Sequence, residues 1–461
     1  EEVEALRAAD FAEDDPVRTH TQGVLDEVAD GDRALAFEVG RAGFERQPVR
    51  LLQAKLGRVL DRQHALARVD HLRQGVEHRG LARAGTARDQ DIGADAAQDA
   101  QDLGAHVDDV GPLIEPDDLV WVHDYHLLPL GQQLRERGFR NRIGFFLHIP
   151  WPPTQLFVSL PYHERLVRSL LAYDVIGFQC DEWLDSFLDY CRTELGADVD
   201  PSTNRISIDG RSVIAKAYPI GIDFDHFTSQ GRTGEARQTA QRVLSSTRRR
   251  TAMIGVDRLD YSKGLPERLD GISRFFERHP DRVRDLVFIQ IAPPSREDID
   301  SYQQIRALLE QKAGQINGAH SSIDLVPVRY VNQGHSPAEL YGAFQACKIG
   351  LVTPLRDGMN LVATEYVAAQ DPADPGVLIL SRFAGAAQQL KGALLVNPHS
   401  PDDIAHNIRL ALDMPLDERK ARWKPMFDCV RDENVQTWTR DILADLSAAP
   451  SGASKGLNAV H

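Results

Sequence analysis

Two cations stand five positions apart in the segment Arg258-Leu-Asp-Tyr-Ser-Lys-Gly264, which directly follows an apolar run at Ala252 to Val256. A guanidinium fork and an ammonium on one loop can converge on a single anion, and a departing diphosphate is an anion that needs neutralisation. A solvated basic loop would have the same composition. Arg258 and Lys263 therefore have two open interpretations, a diphosphate clamp or an exposed loop.

A second segment, Thr353 to Glu365, runs from an apolar stretch through a glycine-containing turn into a helical pattern. Backbone N–H groups at a helix start attract phosphate, so Gly358 and the residues after it are candidate phosphate contacts. The carboxylate of Asp357 can accept hydrogen bonds from sugar hydroxyls, and that of Glu365 from a ribose. A surface salt bridge is the alternative for Glu365.

Three more polar residues, Asp124, His148 and Arg296, each stand at or just after the end of an apolar run. Ligands of open parallel sheets bind outside the carboxyl ends of the strands, so these side chains are candidates for ligand contacts. A helix cap is the alternative for Asp124, because aspartate is a favoured capping residue. A structural role is the alternative for His148.

The elements that must position these residues follow from Asp117 onward, where apolar runs alternate with amphipathic helical patterns, as is typical of parallel α/β layers. Strands are predicted at 119–123, 143–148 and 175–179, and then at 252–256, 286–291, 325–331, 349–354, 377–380 and 394–397. The last six of these suffice for a complete doubly wound domain. Asp209-Gly210, between two apolar runs, predicts a hairpin, which we interpret as the connection between two domains.

Residue usage divides the chain further. Residues 1–114 contain no Ser, Asn, Tyr, Trp, Cys or Met, so we expect this atypical segment to be either non-native sequence or disordered. Tryptic peptides from residues 20–110 of the native protein would contradict the first of these. The expected units are then an incomplete amino-terminal domain at 115–220, a complete domain at 221–430, a helix at 431–447 that returns to the first domain, and a disordered tail at 448–461.

Composition also excludes several classes of protein. The net charge of −15 argues against nucleic-acid binding, which needs a basic stripe. No apolar run approaches the roughly 18 residues of a membrane helix, and the start has no secretion signal, so we expect a cytoplasmic protein. The cysteines have no metal or redox spacing, so neither a metal site nor a cofactor is predicted; they are Cys180, Cys191, Cys347 and Cys429.

Several ordered strings between about residues 117 and 446 resemble those of one enzyme family. They are His123-Asp-Tyr-His126, Gly144-Phe-Phe-Leu-His-Ile-Pro150, Arg258-Leu-Asp-Tyr-Ser-Lys-Gly-Leu-Pro-Glu-Arg268, Leu355-Arg-Asp-Gly-Met-Asn-Leu-Val362, Glu365-Tyr-Val-Ala-Ala-Gln-Asp371 and Ser381-Arg-Phe-Ala-Gly-Ala386. The family is that of the bacterial trehalose-6-phosphate synthases, which are retaining enzymes of glycosyltransferase family 20. The resemblance implies an α/β GT-B fold, in which two Rossmann-like doubly wound domains face a cleft, and association into a homo-oligomer.

The resemblance also implies glucose transfer from UDP-glucose, or another nucleoside-diphosphate glucose, to glucose 6-phosphate. The residues that would bind the donor are Arg258, Lys263, Asp357, Gly358, Met359, Asn360, Leu361, Val362 and Glu365. Among these, Arg258 and Lys263 would clamp the diphosphate, and Asp357 would hold glucose hydroxyls. His148 would complete the catalytic set beside the transferred sugar. Asp124 would hold the acceptor sugar, and Arg296 its phosphate.

In the mechanism that the resemblance implies, the acceptor hydroxyl attacks on the face from which the diphosphate departs, and the leaving phosphate takes its proton. The strand with Ser-Asn-Arg and the Gly-Gly-Leu loop that usually open the family are absent from residues 1–114. Two alternatives therefore stay open. One is a truncated or catalytically dead nucleotide-sugar-binding protein of the same fold, and the other is a different two-domain glycosyltransferase, such as a glycogen-synthase-like enzyme.

Overall fold

The structure is a computed structural model that describes residues 49–51, 110–247, 250–294 and 300–450. The strands are β1 Val49–Leu51, β2 Leu119–His123, β3 Arg142–Phe146, β4 Val175–Phe178, β5 Asp198–Asp200, β6 Arg205–Ile208, β7 Arg211–Ala217, β8 Thr251–Val256, β9 Leu286–Ile291, β10 Val328–Val331, β11 Ile349–Val352, β12 Val377–Ser381 and β13 Leu394–Val396. The α-helices are α1 Leu130–Glu136, α2 Thr154–Phe157, α3 His163–Leu170, α4 Asp181–Thr193, α5 Phe224–Gln230, α6 Gly234–Ser246, α7 Leu265–Arg278, α8 Asp300–His320, α9 Pro337–Ala346, α10 Leu361–Ala368, α11 Pro401–Asp413, α12 Leu416–Asp432 and α13 Val435–Ala448. The strands form two sheets.

The first sheet has the strand order β1-β2-β3-β4-β7-β6-β5. Its pairs are parallel from β1 to β7, and the two pairs that involve β6 are antiparallel. Leu119 to Val122 of β2 are all buried, as expected for a parallel strand that has both faces covered. His123, at the end of β2, lies opposite Phe146, at the end of β3. Residues that follow these two strands are therefore neighbours in space.

The second sheet is parallel throughout and has the strand order β10-β9-β8-β11-β12-β13. Counted along the chain from β8, this is the order of dinucleotide-binding folds, in which the ligand crevice lies where the order reverses. The reversal falls between β8 and β11. The loop after β8 carries the two predicted cations, and the loop after β11 carries the predicted glycine turn. The sheet topology thus brings the two segments to one crevice.

The strands predicted from the apolar runs are confirmed, with ends that shift by at most three residues. The interpretation of the Asp209-Gly210 hairpin as an interdomain connection is wrong. The turn residues have φ values of 49° and 76°, and the hairpin belongs to the first sheet because β7 pairs in parallel with β4. The physical reason is burial: Val213 and Ala215 of β7 are inaccessible to solvent and complete the core on that side of the sheet.

The carboxyl-terminal helical pattern is divided into α12 and α13 by a cap. The side-chain oxygen of Asn434 accepts a hydrogen bond from the backbone N–H of Thr437 at 2.9 Å and starts α13. Helix α13 then lies on the first sheet, where the fully buried Leu446 packs close to Gly144 of β3. The hydroxyl of Tyr218 donates a hydrogen bond to Asp445 of the same helix at 2.7 Å. The chain therefore returns from the second sheet to the first.

The two chain segments that run between the sheets lie side by side. The backbone N–H of Val435 donates a hydrogen bond to the carbonyl oxygen of Ile222 at 3.1 Å. A Cβ on Gly221 would lie 2.1 Å from the carbonyl oxygen of Glu433, so only glycine permits this approach. Among the residues described, no helix has the length and apolar content that a bilayer crossing needs.

Shortening Leu446 to alanine should lower the free energy of unfolding by about 2–5 kcal/mol, because it removes a fully buried side chain from the contact between α13 and β3. The matched control is Leu244→Ala on α6, where the side chain is 56% exposed and the expected change is within about 0.5 kcal/mol. Urea unfolding followed by tryptophan fluorescence measures both. Equal losses in the two variants would contradict the role of Leu446.

Candidate active site

The loop after β8 holds Lys263 at the end of a short 3-10 helix, Tyr261–Lys263. The Asp260 carboxylate caps this turn by accepting hydrogen bonds from the backbone N–H and the hydroxyl of Ser262 at 2.8 and 2.9 Å. Gly264 follows with a φ of 62°, and a Cβ there would lie 2.3 Å from the carbonyl oxygen of Thr353. Turn chemistry and a glycine thus hold this loop tightly against the segment that follows β11.

One carboxylate, that of Asp357, ties the cation to the start of α10. The ammonium of Lys263 donates a hydrogen bond to Asp357 Oδ2 at 2.8 Å, and the two side chains are 17% and 11% exposed. Asn360 Nδ2 donates to the same oxygen at 2.9 Å. Asn360 has a φ of 70° and also caps α10, since its side-chain oxygen accepts from the backbone N–H of Ala363 at 3.1 Å.

Burial opposes charge on both partners, and their contact overcomes it. Burial by itself would raise the pKa of Asp357, but the Lys263 ammonium and nearby hydrogen-bond donors hold that pKa below its usual value. Burial would lower the pKa of Lys263, but the carboxylates of Asp357 and Asp257 raise it. Because its pKa is raised, the Lys263 ammonium loses its proton only at high pH. Because its pKa is lowered, the Asp357 carboxylate gains a proton only at low pH. Both groups are therefore ionised at neutral pH.

Arg258, the second predicted cation, is half-buried in the same loop. Its guanidinium charge opposes protonation of Lys263 and so acts to lower the pKa of that ammonium. Arg258 and Lys263 both belong to the loop that follows β8, which ends at Val256. The structure therefore gathers Arg258, Lys263 and the start of α10 at the crevice between β8 and β11.

A fully buried arginine, Arg268, connects the strands beside the crevice. The Arg268 guanidinium donates hydrogen bonds to Asp257 Oδ2 at 2.7 Å, Gln290 Oε1 at 2.9 Å and Thr353 Oγ1 at 2.9 Å. These partners come from β9 and from the ends of β8 and β11, so one side chain joins three adjacent strands. Burial raises the pKa of Asp257 against the pull of the Arg268 charge. Removing either partner would leave a buried charge without compensation.

His148 reaches from the end of β3 toward the second sheet. Its Nε2 lies 3.1 Å from Nδ1 of His123, at the end of β2, and its Nδ1 lies 3.3 Å from Met359 Sδ. Burial lowers the pKa of both imidazoles, although the Asp124 carboxylate opposes this effect at His148. Both rings are therefore neutral near pH 7.

The two loops that carry these groups touch. A Cβ on Gly358 would lie 1.7 Å from the carbonyl oxygen of His148, so this approach requires glycine. Nη2 of Arg356 donates a hydrogen bond to the carbonyl oxygen of Trp151 at 3.3 Å. The proline-rich turn after β3 and the glycine turn after β11 therefore form a contact between the two sheets.

Asp124 has a strained backbone. Its φ of 71° and ψ of 163° lie in a region that is normally restricted to glycine, at a cost of about 1–3 kcal/mol. Its backbone N–H donates to the carbonyl oxygen of Phe146 at 2.8 Å, and its side chain accepts from the backbone N–H of Tyr125 at 2.9 Å. The capping role that the sequence left open is thus present, but ordinary capping does not require this backbone conformation. Strain of this kind collects at functional sites.

The remaining predicted residues divide into two groups. Leu361, Val362 and Glu365 lie on α10 and are 7%, 8% and 2% exposed. The alternative of a surface salt bridge for Glu365 is therefore wrong. The alternative of a solvated loop is wrong for Lys263, whose side chain is only 17% exposed. Arg296 lies outside the described residues, and its role stays a prediction.

Sequence reasoning gave no role to two residues that pack on His148. His123 had a usable signal, because it directly precedes Asp124 at the end of a strand that neighbours β3. Trp438 of α13 had no such signal in the sequence. Its ring lies 6.0 Å from that of His123 and 6.4 Å from that of His148. It comes from the far end of the sequence and reaches the cleft only because α13 returns to the first sheet.

The part of the chain that carries this site matches a known protein family. The family model "Glycosyltransferase family 20" matches residues 104–448. The trehalose-6-phosphate synthase of Sinorhizobium fredii is 46% identical over 340 residues, which are 74% of this chain and 73% of the relative. The chain is thus similar over most of its length to a curated member of that family.

Two solved structures are similar in fold as well as in sequence. One is an α,α-trehalose-phosphate synthase (UDP-forming) from Burkholderia xenovorans in complex with glucose-6-phosphate, with a TM-score of 0.73, 43% identity, and coverage of 77% of this chain and 79% of that one. The other is the E. coli protein bound with UDP-2-fluoro glucose, with a TM-score of 0.73, 40% identity, and coverage of 77% and 78%. The sequence and fold comparisons agree, and this chain belongs to glycosyltransferase family 20.

Proposed function

We propose that this chain transfers glucose from UDP-glucose to glucose 6-phosphate with retention of configuration, and that it forms trehalose 6-phosphate and UDP. The observation that carries the proposal is the contact between Lys263 and Asp357, where a cation and a sugar-binding carboxylate meet at the reversal point of the second sheet. The two related structures, which hold glucose-6-phosphate and a UDP-glucose analogue, support the choice of donor and acceptor.

On the donor side, Arg258 and Lys263 neutralise the diphosphate, and Asp357 accepts hydrogen bonds from glucose hydroxyls. In the structure, the Lys263 ammonium is bonded to Asp357. An arriving diphosphate takes over this ammonium and leaves the carboxylate oxygens to the sugar. The turn at Gly358 to Val362 lies around the phosphates, and Glu365 of α10 holds the ribose.

On the acceptor side, Asp124 binds the hydroxyls of glucose 6-phosphate, and His148 contacts the transferred glucose. Two observations support these roles. Asp124 has a strained backbone beside the end of β3. Nδ1 of His148 lies 3.3 Å from the sulfur of Met359, in the loop after β11 that carries the proposed contacts to the donor sugar, which we call the donor loop. A sugar held by the donor loop would therefore lie beside the imidazole of His148. We assign the acceptor phosphate to Arg296, as the family resemblance implies.

The bond changes follow from this arrangement. The acceptor hydroxyl oxygen bonds to the anomeric carbon of glucose, and the bond from that carbon to the diphosphate oxygen breaks. The hydroxyl proton passes to the departing phosphate, which leaves on the same face, so the configuration is retained. Since charge develops on the diphosphate, pre-positioned cations stabilise the transition state more than the ground state.

We also propose a cytoplasmic location, because a nucleotide sugar and a sugar phosphate are substrates of the cytoplasm. Fractionation of source cells followed by immunoblotting tests this. Recovery of the protein mainly outside the cytoplasmic fraction would contradict the proposal.

The experiment that tests the function combines binding and catalysis. Calorimetry with UDP measures nucleotide binding, and chromatography detects trehalose 6-phosphate after incubation with UDP-glucose and glucose 6-phosphate. We expect both binding and product. Binding without product would instead support the alternative of a catalytically dead nucleotide-sugar-binding protein.

In the same assay, Lys263→Ala should lower turnover by about 100-fold to 1,000-fold, because it removes a pre-positioned charge from the leaving diphosphate. Lys391→Ala, which removes an exposed cation after the 3-10 helix at Gly385–Gln388, is the matched control and should keep the parental rate. A Lys263→Ala protein that transfers glucose as fast as the parent would rule out the proposed role of this ammonium.

Asp357→Asn should separate nucleotide binding from sugar transfer. Because the carboxylate holds the ammonium of Lys263 that the diphosphate would use, we expect UDP to bind about fivefold more tightly in calorimetry, equivalent to about 1 kcal/mol. Transfer should fall because the sugar loses a charged acceptor. Asp374→Asn, at a carboxylate paired with Lys348 and Arg419, is the control and should leave UDP affinity unchanged. Weaker UDP binding by Asp357→Asn would show that the carboxylate does not compete with the nucleotide.

A further inference from the structure

The hydrogen bond between His123 and His148 contains a single proton. Nδ1 of His123 and Nε2 of His148 lie 3.1 Å apart, so one nitrogen donates a hydrogen and the other accepts it. A neutral imidazole has one N–H and one acceptor nitrogen. The direction of this hydrogen bond therefore decides which nitrogen of His148 is protonated.

The other side of His148 indicates the direction. Its Nδ1 lies 3.3 Å from the sulfur of Met359, and a thioether sulfur can accept a hydrogen bond but cannot donate one. A bare Nδ1 would place its lone pair against those of the sulfur, whereas an Nδ1–H makes a weak hydrogen bond to it. The contact with the sulfur therefore favours a proton on Nδ1 of His148, in which case its Nε2 accepts a hydrogen bond from His123 Nδ1–H.

Both rings are held in place by aromatic neighbours. The two imidazoles stack with their centroids 5.3 Å apart and their planes tilted by 28°. Trp121 lies 4.5 Å from the His123 ring, and Phe146 meets the His148 ring edge-on at 4.8 Å. Burial lowers the pKa of both histidines, which favours the neutral forms on which this pattern depends. Asp124 is the carboxylate whose charge acts against this at His148.

We propose that His123 is a positioning residue, whose Nδ1–H fixes His148 in the tautomer that presents Nδ1–H to the sugar carried by the donor loop. This inference rests on the proposed function, in which His148 contacts the transferred glucose. When the sugar binds, one of its hydroxyl oxygens replaces the Met359 sulfur as the acceptor. His123 does not touch the sugar itself and acts only through His148.

Two substitutions of His123 distinguish positioning from packing because the two roles rank them in opposite order. His123→Asn places an amide N–H close to the former Nδ1–H but removes the ring, whereas His123→Phe keeps a ring against Trp121 and cannot donate. We expect His123→Phe to lose about 10-fold to 100-fold in turnover, with UDP affinity unchanged, and His123→Asn to keep most of the parental turnover. If His123 only fills space, the phenylalanine variant will be the more active of the two, and the proposal fails.

Nitrogen-15 spectra of the imidazoles provide a readout that does not depend on catalysis. The signals of His148 are identified by their absence from His148→Asn protein. We expect a protonated Nδ1 in the parent and in His123→Asn, and a shift toward a protonated Nε2 in His123→Phe. A parent with its proton on Nε2 overturns the inference. If the parent makes no trehalose 6-phosphate, the proposed function fails, and these spectra still decide whether His123 sets the tautomer.

Discussion

The ion pair between Lys263 and Asp357 is the contact on which the donor side of this molecule depends. Each residue lies on a loop beyond one of the two strands at the reversal point of the second sheet, and each charge offsets part of the cost of burying the other. The loops can meet because Gly264 and Asn360 adopt left-handed backbone conformations at the turns.

The second constraint is the return of the chain to the first sheet. Helix α13 closes the core around Leu446, and its Trp438 packs on the ring of Phe146, edge to face, at the end of β3. The two interdomain segments touch at Gly221, so the first sheet, the second sheet and α13 have restricted relative positions. That restriction lets the carbonyl oxygen of His148 approach Gly358 more closely than any side chain would permit.

The proposed reaction needs charge stabilisation more than covalent chemistry, and this requirement gives a reason for the way strain and charge are distributed between the two sheets. The cations lie in the second domain's loop, and the strained Asp124 and the histidine pair lie at strand ends of the first sheet. The buried Arg268 network holds the ends of three strands at fixed spacing below the cations. Such pre-organisation matters because stabilising groups that must first rearrange lose much of their advantage.

Local sequence was enough to predict the strands, the hairpin turn and the two loops of the second domain, because apolar periodicity and turn chemistry act between residues close in the chain. It placed Lys263 at one strand end and Asp357 beyond another. That the two are bonded to each other follows from the tertiary structure alone, because their contact depends on β8 lying beside β11. The contact of His123 with His148 and the packing of Trp438 on the pair likewise depend on strand order and on the return of α13, which are set by burial across the whole core.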